Sequence, residues 1–283
     1  MRTYIDEEAL MKLIQRQGYL DFLRRNRNRP IVKVVSGIRR CGKSTLFRLF
    51  KDELLSEGIK PEQIISINFE ELEYEHLRDY HALYQYILER MQPDEMNYIF
   101  LDEIQHVDQF HRVVDSLFVK ENTDLYITGS NAYFMSSDIA TLLTGRYVKI
   151  QMLPLSFSEF YHSKYDGNQY SLIPAYESYL RESSFPYTQQ LGGEDFDIQE
   201  YLRGLYNTLL LHDVVARLKI SDVTILQDIV RYIMSNIGSL LSPNKIANSL
   251  ISAGRKIDNK TVERYLQGLQ DSLLLYKVNR YDV

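Results

Sequence analysis

The run Ile31-Val32-Lys33-Val34-Val35-Ser36-Gly37-Ile38-Arg39-Arg40-Cys41-Gly42-Lys43-Ser44 decides the fold. Pro30 opens a β-branched stretch over 31–35 that reads as a buried strand. From Lys43 to about Leu55, Leu46, Phe47, Phe50 and Leu54 recur at helical spacing, and Gly58 and Pro61 end that helix. Between strand and helix, Gly37 to Ser44 fits G-x-x-x-x-G-K-[ST] at every fixed position. Glycines let backbone N–H groups close around phosphates. The helix start adds its positive end. Lys43 reaches the terminal phosphates, and the Ser44 hydroxyl can ligate Mg²⁺. The expected nucleotide-binding residues are therefore Gly37, Ile38, Arg39, Arg40, Cys41, Gly42, Lys43, Ser44 and Thr45.

Outward from this loop, strands and helices alternate. Strands are expected at 64–69, 98–101, 125–128 and 147–150, with helices at about 76–91, 109–118 and 137–143 between them. Five strands alternating with helices argue for an α/β fold with a parallel sheet covered on both faces. Around 168–195 the pattern dissolves into Gly, Ser, Pro and Gln, which marks a boundary. Beyond Phe196 the reading is helical except for a strand-like Leu275-Tyr276-Lys277-Val278. The expected organisation is a nucleotide-binding domain at 1–165, a linker and helical segment at 166–220, and a helical, winged-helix-like domain at 221–283.

The third strand, Tyr98-Ile99-Phe100-Leu101, runs straight into Asp102-Glu103. Carboxylates at the end of a buried strand are costly without a partner. Beside a phosphate loop they have work: Asp102 can hold Mg²⁺, mostly through water, and Glu103 can orient and deprotonate an attacking water. Water activation favours hydrolysis over phosphorylation of a small acceptor. The fourth strand ends in Gly129-Ser130-Asn131, so Ser130 or Asn131 can face the γ-phosphate, or simply cap the next helix. Arg146, after Gly145 and before the fifth strand, can stabilise transition-state charge from its own chain or from a neighbour's, or it can be a structural partner of Asp138. Asn244-Lys245-Ile246-Ala247 and Asn259-Lys260-Thr261-Val262 lack the Asp of a guanine-reading N-K-x-D motif, which favours ATP.

Composition sets the outer limits. The 283 residues are 45% apolar and 25% charged, which excludes disorder as the main state. No stretch approaches the length of uncharged apolar sequence that a membrane helix needs, and charges interrupt the N-terminus as they would not in a secretory signal. A single cysteine excludes an intrachain disulfide and a cysteine-rich zinc site. The chain reads as cytoplasmic. Net charge is −5, but residues 201–283 carry 11 Lys and Arg against 7 Asp and Glu.

Five strings in this order resemble a widespread family of bacterial and archaeal AAA+-type ATPases. They are Gly37-Ile38-Arg39-Arg40-Cys41-Gly42-Lys43-Ser44, Leu101-Asp102-Glu103-Ile104-Gln105, Thr128-Gly129-Ser130-Asn131, Leu143-Thr144-Gly145-Arg146 and Leu153-Pro154-Leu155-Ser156-Phe157. The resemblance implies strand order 5-1-4-3-2, Mg-ATP binding, a winged-helix segment after the ATPase core and, usually, a further nuclease-like domain. At Glu182-Ser183-Ser184-Phe185-Pro186 the family more often has glycines before Phe-Pro.

The C-terminal segment is expected to form helices over 224–236, from Ser242-Pro243 to about Ile251, and from Asp258 or Asn259 with an apolar face of Val262, Tyr265, Leu266, Leu269 and Leu273. A DNA-reading role would use Lys260, Arg264 and Gln267 in the groove, with Arg255 and Lys256 on phosphates. Lys260 and Arg264 are offset by Glu263 and Asp271, so the phosphate-neutralising term is weak and a lid or protein contact competes. The expected function is Mg-dependent ATP hydrolysis coupled to a conformational, DNA-remodelling or protein-remodelling task, in a possible homo-oligomer. The competing reading is a nucleotide-dependent switch that docks a protein or DNA through 196–283. Arg24, Arg25, Arg27 and Arg29 read as a solvated helix end, the tyrosines at 74–86 and 161–170 as packing, and Cys41 as a site whose alkylation would block nucleotide binding.

Overall fold

A computed structural model describes residues 13–130, 143, 145–165, 170–191 and 195–279. Five strands form one sheet: β1 (Val32–Gly37), β2 (Ile64–Asn68), β3 (Asn97–Asp102), β4 (Thr123–Gly129) and β5 (Tyr147–Met152). Their order is β2-β3-β4-β1-β5, which is 5-1-4-3-2 read from the other edge, and every pair is parallel. All carboxyl ends therefore lie along one edge.

The period of two sorts the strand residues onto two faces. Val32, Val34, Ile99, Leu101, Leu125 and Ile127 share one core with Leu83 and Ile87 of α3 (Tyr80–Arg90) and with Phe110, Val113, Val114 and Leu117 of α4 (Phe110–Phe118). Phe100 and Tyr126, directly paired across β3 and β4, stack on the other face at 4.7 Å. Phe47 and Phe50 of α2 (Lys43–Ser56) close over them edge-on. The same alternation puts Asp102 and Thr128 on that α2 face, one pleat beyond the aromatics. At the opposite edge of the sheet Lys33 and Asp124 form a fully buried ion pair. Its spare valences are met by the Arg29 carbonyl, the Asn28 amide and the Tyr126 hydroxyl.

Local departures from expectation have local causes. The helix expected over 76–91 starts at Tyr80, because Asp79 accepts a cap bond from the Ala82 amide and leaves Leu72–Arg78 as a 3₁₀ segment. Within the stretch read as dissolving, Leu172–Glu182 is helical. Its Pro174 sits in the first turn, where a missing N–H costs nothing. Just after it, Ser183 takes a left-handed φ of 77°, the conformation that glycines before Phe-Pro would favour. Two of the arginines around the end of α1 (Gln17–Asn26) are paired rather than merely solvated: Arg24 bonds both oxygens of Glu53 on α2, and Arg27 pairs with Glu57. The helix expected at 137–143 lies, but for Leu143, outside the described residues.

The chain divides into two compact units between Gln199 and Glu200. In the second, Thr208–Ala216 is π-helical and the helices Val223–Met234, Pro243–Ser252 and Asn259–Asp271 share a core of Leu226, Ile229, Ile246, Leu250, Val262 and Leu269. Gly268 lets the last helix lie against Leu218 and Val214, where a Cβ would meet the Leu218 side chain at 2.4 Å. Asp258, not Asn259, caps that helix by accepting from the Thr261 amide. The strand expected at Leu275–Val278 is absent among the described residues. The amides of Leu274 and Leu275 instead fold back onto the Leu269 carbonyl, and among the described residues no second strand stands beside them to complete a ladder.

Candidate functional site

The loop after β1 turns into α2 through two left-handed residues, Arg40 (φ 65°) and Gly42 (φ 103°). At Gly37 a Cβ would strike the Met152 carbonyl at 2.4 Å and the Cys41 sulfur at 2.8 Å, so only glycine lets the loop run this close to β5. Lys43 is buried and reaches back under the loop, donating to the carbonyls of Gly37 (3.0 Å) and Ile38 (3.3 Å) and pairing with Glu103 Oε1 at 3.0 Å. Arg39 pairs with Glu70.

The carboxyl ends of β3 and β4 meet this loop. Thr128 donates to Asp102 and accepts from the Glu103 amide (2.8 Å), while the Ser44 hydroxyl favours the charged form of Asp102 from the start of α2. Burial pushes the Asp102 carboxyl above its usual range, with the Ser44 and Thr128 hydroxyls opposing. Burial also acts to raise Glu103, but the Lys43 ammonium and hydrogen bonds from Ser130 and Gln105 outweigh it and hold Glu103 below its usual range. Burial likewise opposes the Lys43 charge, which Cys41, Glu103 and Asp102 nevertheless keep above its ordinary pKa. Glu103 sits at a left-handed φ of 54°, strain that bulky residues tolerate only where neighbours over-determine it. Here the Thr128 bond to its amide and the Lys43 bond to its side chain do so.

The sequence reading missed Arg16. It lies at the entry to α1, 4% exposed, and bonds both Glu159 oxygens (2.8 and 2.9 Å). Its Nη1 also donates to the carbonyls of Leu153 (2.6 Å) and of Cys41 within the phosphate loop (3.2 Å). One guanidinium thus ties the N-terminal segment, the loop and the chain after β5 together. The partners stand up to 143 residues apart, and no local pattern signals them. Against this clamp lies a small cavity of about 60 Å³, lined by Ile14, Gly42, Thr45, Leu49, Met152 and Pro186 among others.

Other expected site residues are placed differently. Ser130 is buried beside Glu103 and Gln105. Asn131, and the Asp138 weighed as a partner of Arg146, lie outside the described residues. Arg146 lies at the far edge of the sheet: its carbonyl accepts from Val32 at the start of β1, and its guanidinium faces Asp115 (3.7 Å) and the Phe118 ring. The phosphate loop follows five residues later, about 17 Å along a parallel strand. An Arg146 finger acting within its own chain is thereby excluded. Cys41 is fully buried and burial pushes its thiol up, which corrects the expectation of ready alkylation. In the second unit Lys260, Arg264 and Gln267 are exposed, but Arg255, expected on phosphates, pairs with Asp228 at 2.7 Å. The tyrosines at 74, 80, 84 and 86 pack on the core.

The donor set suits a nucleotide with a hard cation. The Ser44 hydroxyl, at the start of α2, lies near enough to Asp102 to act on its carboxylate. Among the described residues no three His, Cys, Asp or Glu side chains could hold a metal by themselves. A Mg²⁺ here would complete its shell from phosphate and water oxygens, as that ion commonly does. Among the described residues no helix is long and apolar enough to cross a membrane.

This sheet order, with a glycine loop after the interior strand β1 and an acidic pair on the strand two places away, defines the P-loop nucleotide-binding type of fold. Comparison with known proteins agrees. A family profile described as an AAA domain matches residues 29–161, and one for a domain of unknown function matches 173–283. An uncharacterized protein of Haemophilus influenzae is 38% identical over 274 residues, covering 96% of this chain and 68% of that protein. The uncharacterized protein MJ1544 of Methanocaldococcus jannaschii is 29% identical, covering 88% and 57%. Among solved structures, the Walker-type ATPase paby2304 of Pyrococcus abyssi shares the fold, with a TM-score of 0.61 at 16% identity over 92% of this chain and 89% of that one. The chain belongs to the same family as the Haemophilus influenzae protein, and its residues 29–161 match the AAA domain.

Proposed function

We propose that the chain binds MgATP where β1 turns into α2 and hydrolyses it, using the cycle to drive a conformational change. The loop amides and Lys43 hold the phosphates, with Ser44 and Asp102 as the protein ligands of Mg²⁺. The metal, when bound, neutralises charge developing on the phosphate oxygens. The apolar cavity beside Gly42 takes the edge of the base, with Ile14, Leu49 and Pro186 as its walls.

One observation carries this reading: the buried contact between Lys43 Nζ and Glu103 Oε1. It brings the expected phosphate ligand and the expected base within 3.0 Å, at the shared end of β1 and β3. A phosphate oxygen competes with Glu103 for the same ammonium. Arrival of the nucleotide therefore frees the Glu103 carboxylate to accept a proton from water. The Gln105 amide still favours the ionised carboxylate once Lys43 has turned to phosphate. Ser130 steadies the carboxylate through its hydroxyl. Arg146, remote from its own loop, acts on a neighbouring copy.

Glu103→Gln tests this. The variant should bind MgATP as the wild type does and hydrolyse it roughly 10²-fold more slowly, the scale of a removed general base. Unchanged turnover would remove Glu103 from the chemistry.

A further inference from the structure

Gln105 carries a polar atom that the scheme so far leaves idle. It lies in the 3₁₀ turn Ile104–His106, directly after the strained Glu103. Its Nε2 donates to Glu103 Oε2 and lies 3.4 Å from Ser130 Oγ. An ionised carboxylate can only accept, so the amide nitrogen must face Glu103 and the carbonyl must face away from it. That carbonyl, Oε1, is shielded from solvent and has no hydrogen-bond partner among the described residues. Buried acceptors are almost always paired, and one left alone beside a proposed general base calls for an explanation.

Resting on the hydrolytic reading above, we infer that Gln105 holds the attacking water, which enters when nucleotide draws Lys43 away from Glu103 and opens this corner of the site. The amide nitrogen fixes the Glu103 carboxylate, and the carbonyl Oε1 accepts one hydrogen of the water while Glu103 accepts the other. With both hydrogens directed to the protein, a lone pair on the water oxygen is free to face the γ-phosphorus. In the step itself the water oxygen bonds to phosphorus, the bond from phosphorus to the bridging oxygen of the departing diphosphate breaks, and the proton shared with Glu103 passes to its carboxylate. Gln105 keeps its hydrogen throughout. It therefore orients and does not exchange a proton, which an amide can do and a carboxylate in its place would not do as cleanly.

Gln105→Met tests this, because it nearly preserves side-chain length while removing both polar ends. With the variant folded, as its melting curve reports, kcat should fall roughly 10- to 100-fold with KM within about twofold. Calorimetry supplies a readout apart from turnover. Affinity for MgADP should be unchanged, while affinity for MgADP with aluminium fluoride, which mimics the phosphoryl group under attack, should fall by about the same factor as kcat. Equal loss of affinity for MgADP and for the mimic, or an unchanged kcat, would overturn the role. Should the Met variant not fold, Gln105→Asn, which draws the amide back by one methylene, should show the same split. A wild-type chain that binds MgADP but never turns over would remove the hydrolytic reading itself. Normal wild-type turnover with an unaffected Gln105 variant would remove only this inference.

Discussion

Arg16 and Glu159, 143 residues apart, form a two-pronged ion pair behind the phosphate loop, with Nε and Nη2 of the arginine at 2.8 and 2.9 Å from the two carboxylate oxygens. The remaining N–H groups hold the carbonyls of Cys41, Leu153 and Pro154. The Arg16 guanidinium also stacks over Tyr19, whose hydroxyl accepts from the Leu153 amide. The loop's rear wall is thus set by a side chain outside its motif.

Arg16→Ala should destabilise the fold by about 2–3 kcal/mol, since it leaves Glu159 without its charge partner and three carbonyls without a donor in a largely buried place. Arg16→Lys should recover little, because an ammonium cannot bond both oxygens in the same plane. Denaturant unfolding measures both. A loss below about 0.5 kcal/mol in the Ala variant, the range of an ordinary surface change, would contradict the clamp.

The same pair sets a pH dependence. Burial acts to raise Glu159, but the Arg16 bonds and the Ser156 amide outweigh it, so the folded carboxyl lies below its usual value. A depressed folded pKa adds stability that is complete above the unfolded value, about 4.3, and is lost as pH falls through the folded one. Glu159→Gln should therefore lower stability at neutral pH and flatten its decline below about pH 4.5 relative to wild type. Melting temperatures across pH 3–7 would show parallel acid limbs if the pair contributed nothing.

Cys41 should resist maleimide in the native protein and react only as the fold opens, because its thiol is buried and its pKa raised by that burial. The labelling rate should track unfolding as denaturant is added. Fast stoichiometric labelling of the native chain would place the sulfur at the surface and the loop in a different conformation.

Much of this was legible from residue types. The strand spacing, the glycine loop and the Asp102-Glu103 terminus each follow from local patterns, whereas the strand order came only from the family resemblance. What escaped the sequence are partnerships set by tertiary folding. Lys33 reads as an interruption in a buried strand until Asp124, three strands later in the chain, is seen against it with neither side chain exposed. Arg16 and Gln105 have no periodicity to betray them. Leu275–Val278 failed in the opposite sense: its composition suits a strand, but strand formation needs a partner edge, and the amide of Leu275 turns back to the preceding helix instead.

Arg146→Ala should leave nucleotide affinity unchanged, since the residue lies at the far edge of its own sheet. If a neighbouring copy uses it, turnover per subunit should rise with protein concentration in the wild type and stay flat in the variant. Wild-type turnover independent of concentration, under conditions where subunits separate, would leave Arg146 with its Asp115 and Phe118 contacts alone among the described residues.

The most direct measurement is a calorimetric titration of MgADP into the folded wild-type chain and into Lys43→Ala. The phosphate-cradle assignment predicts a saturable one-to-one heat in the wild type that the variant loses. A folded wild type giving no saturable heat, or a variant binding as tightly, would contradict it.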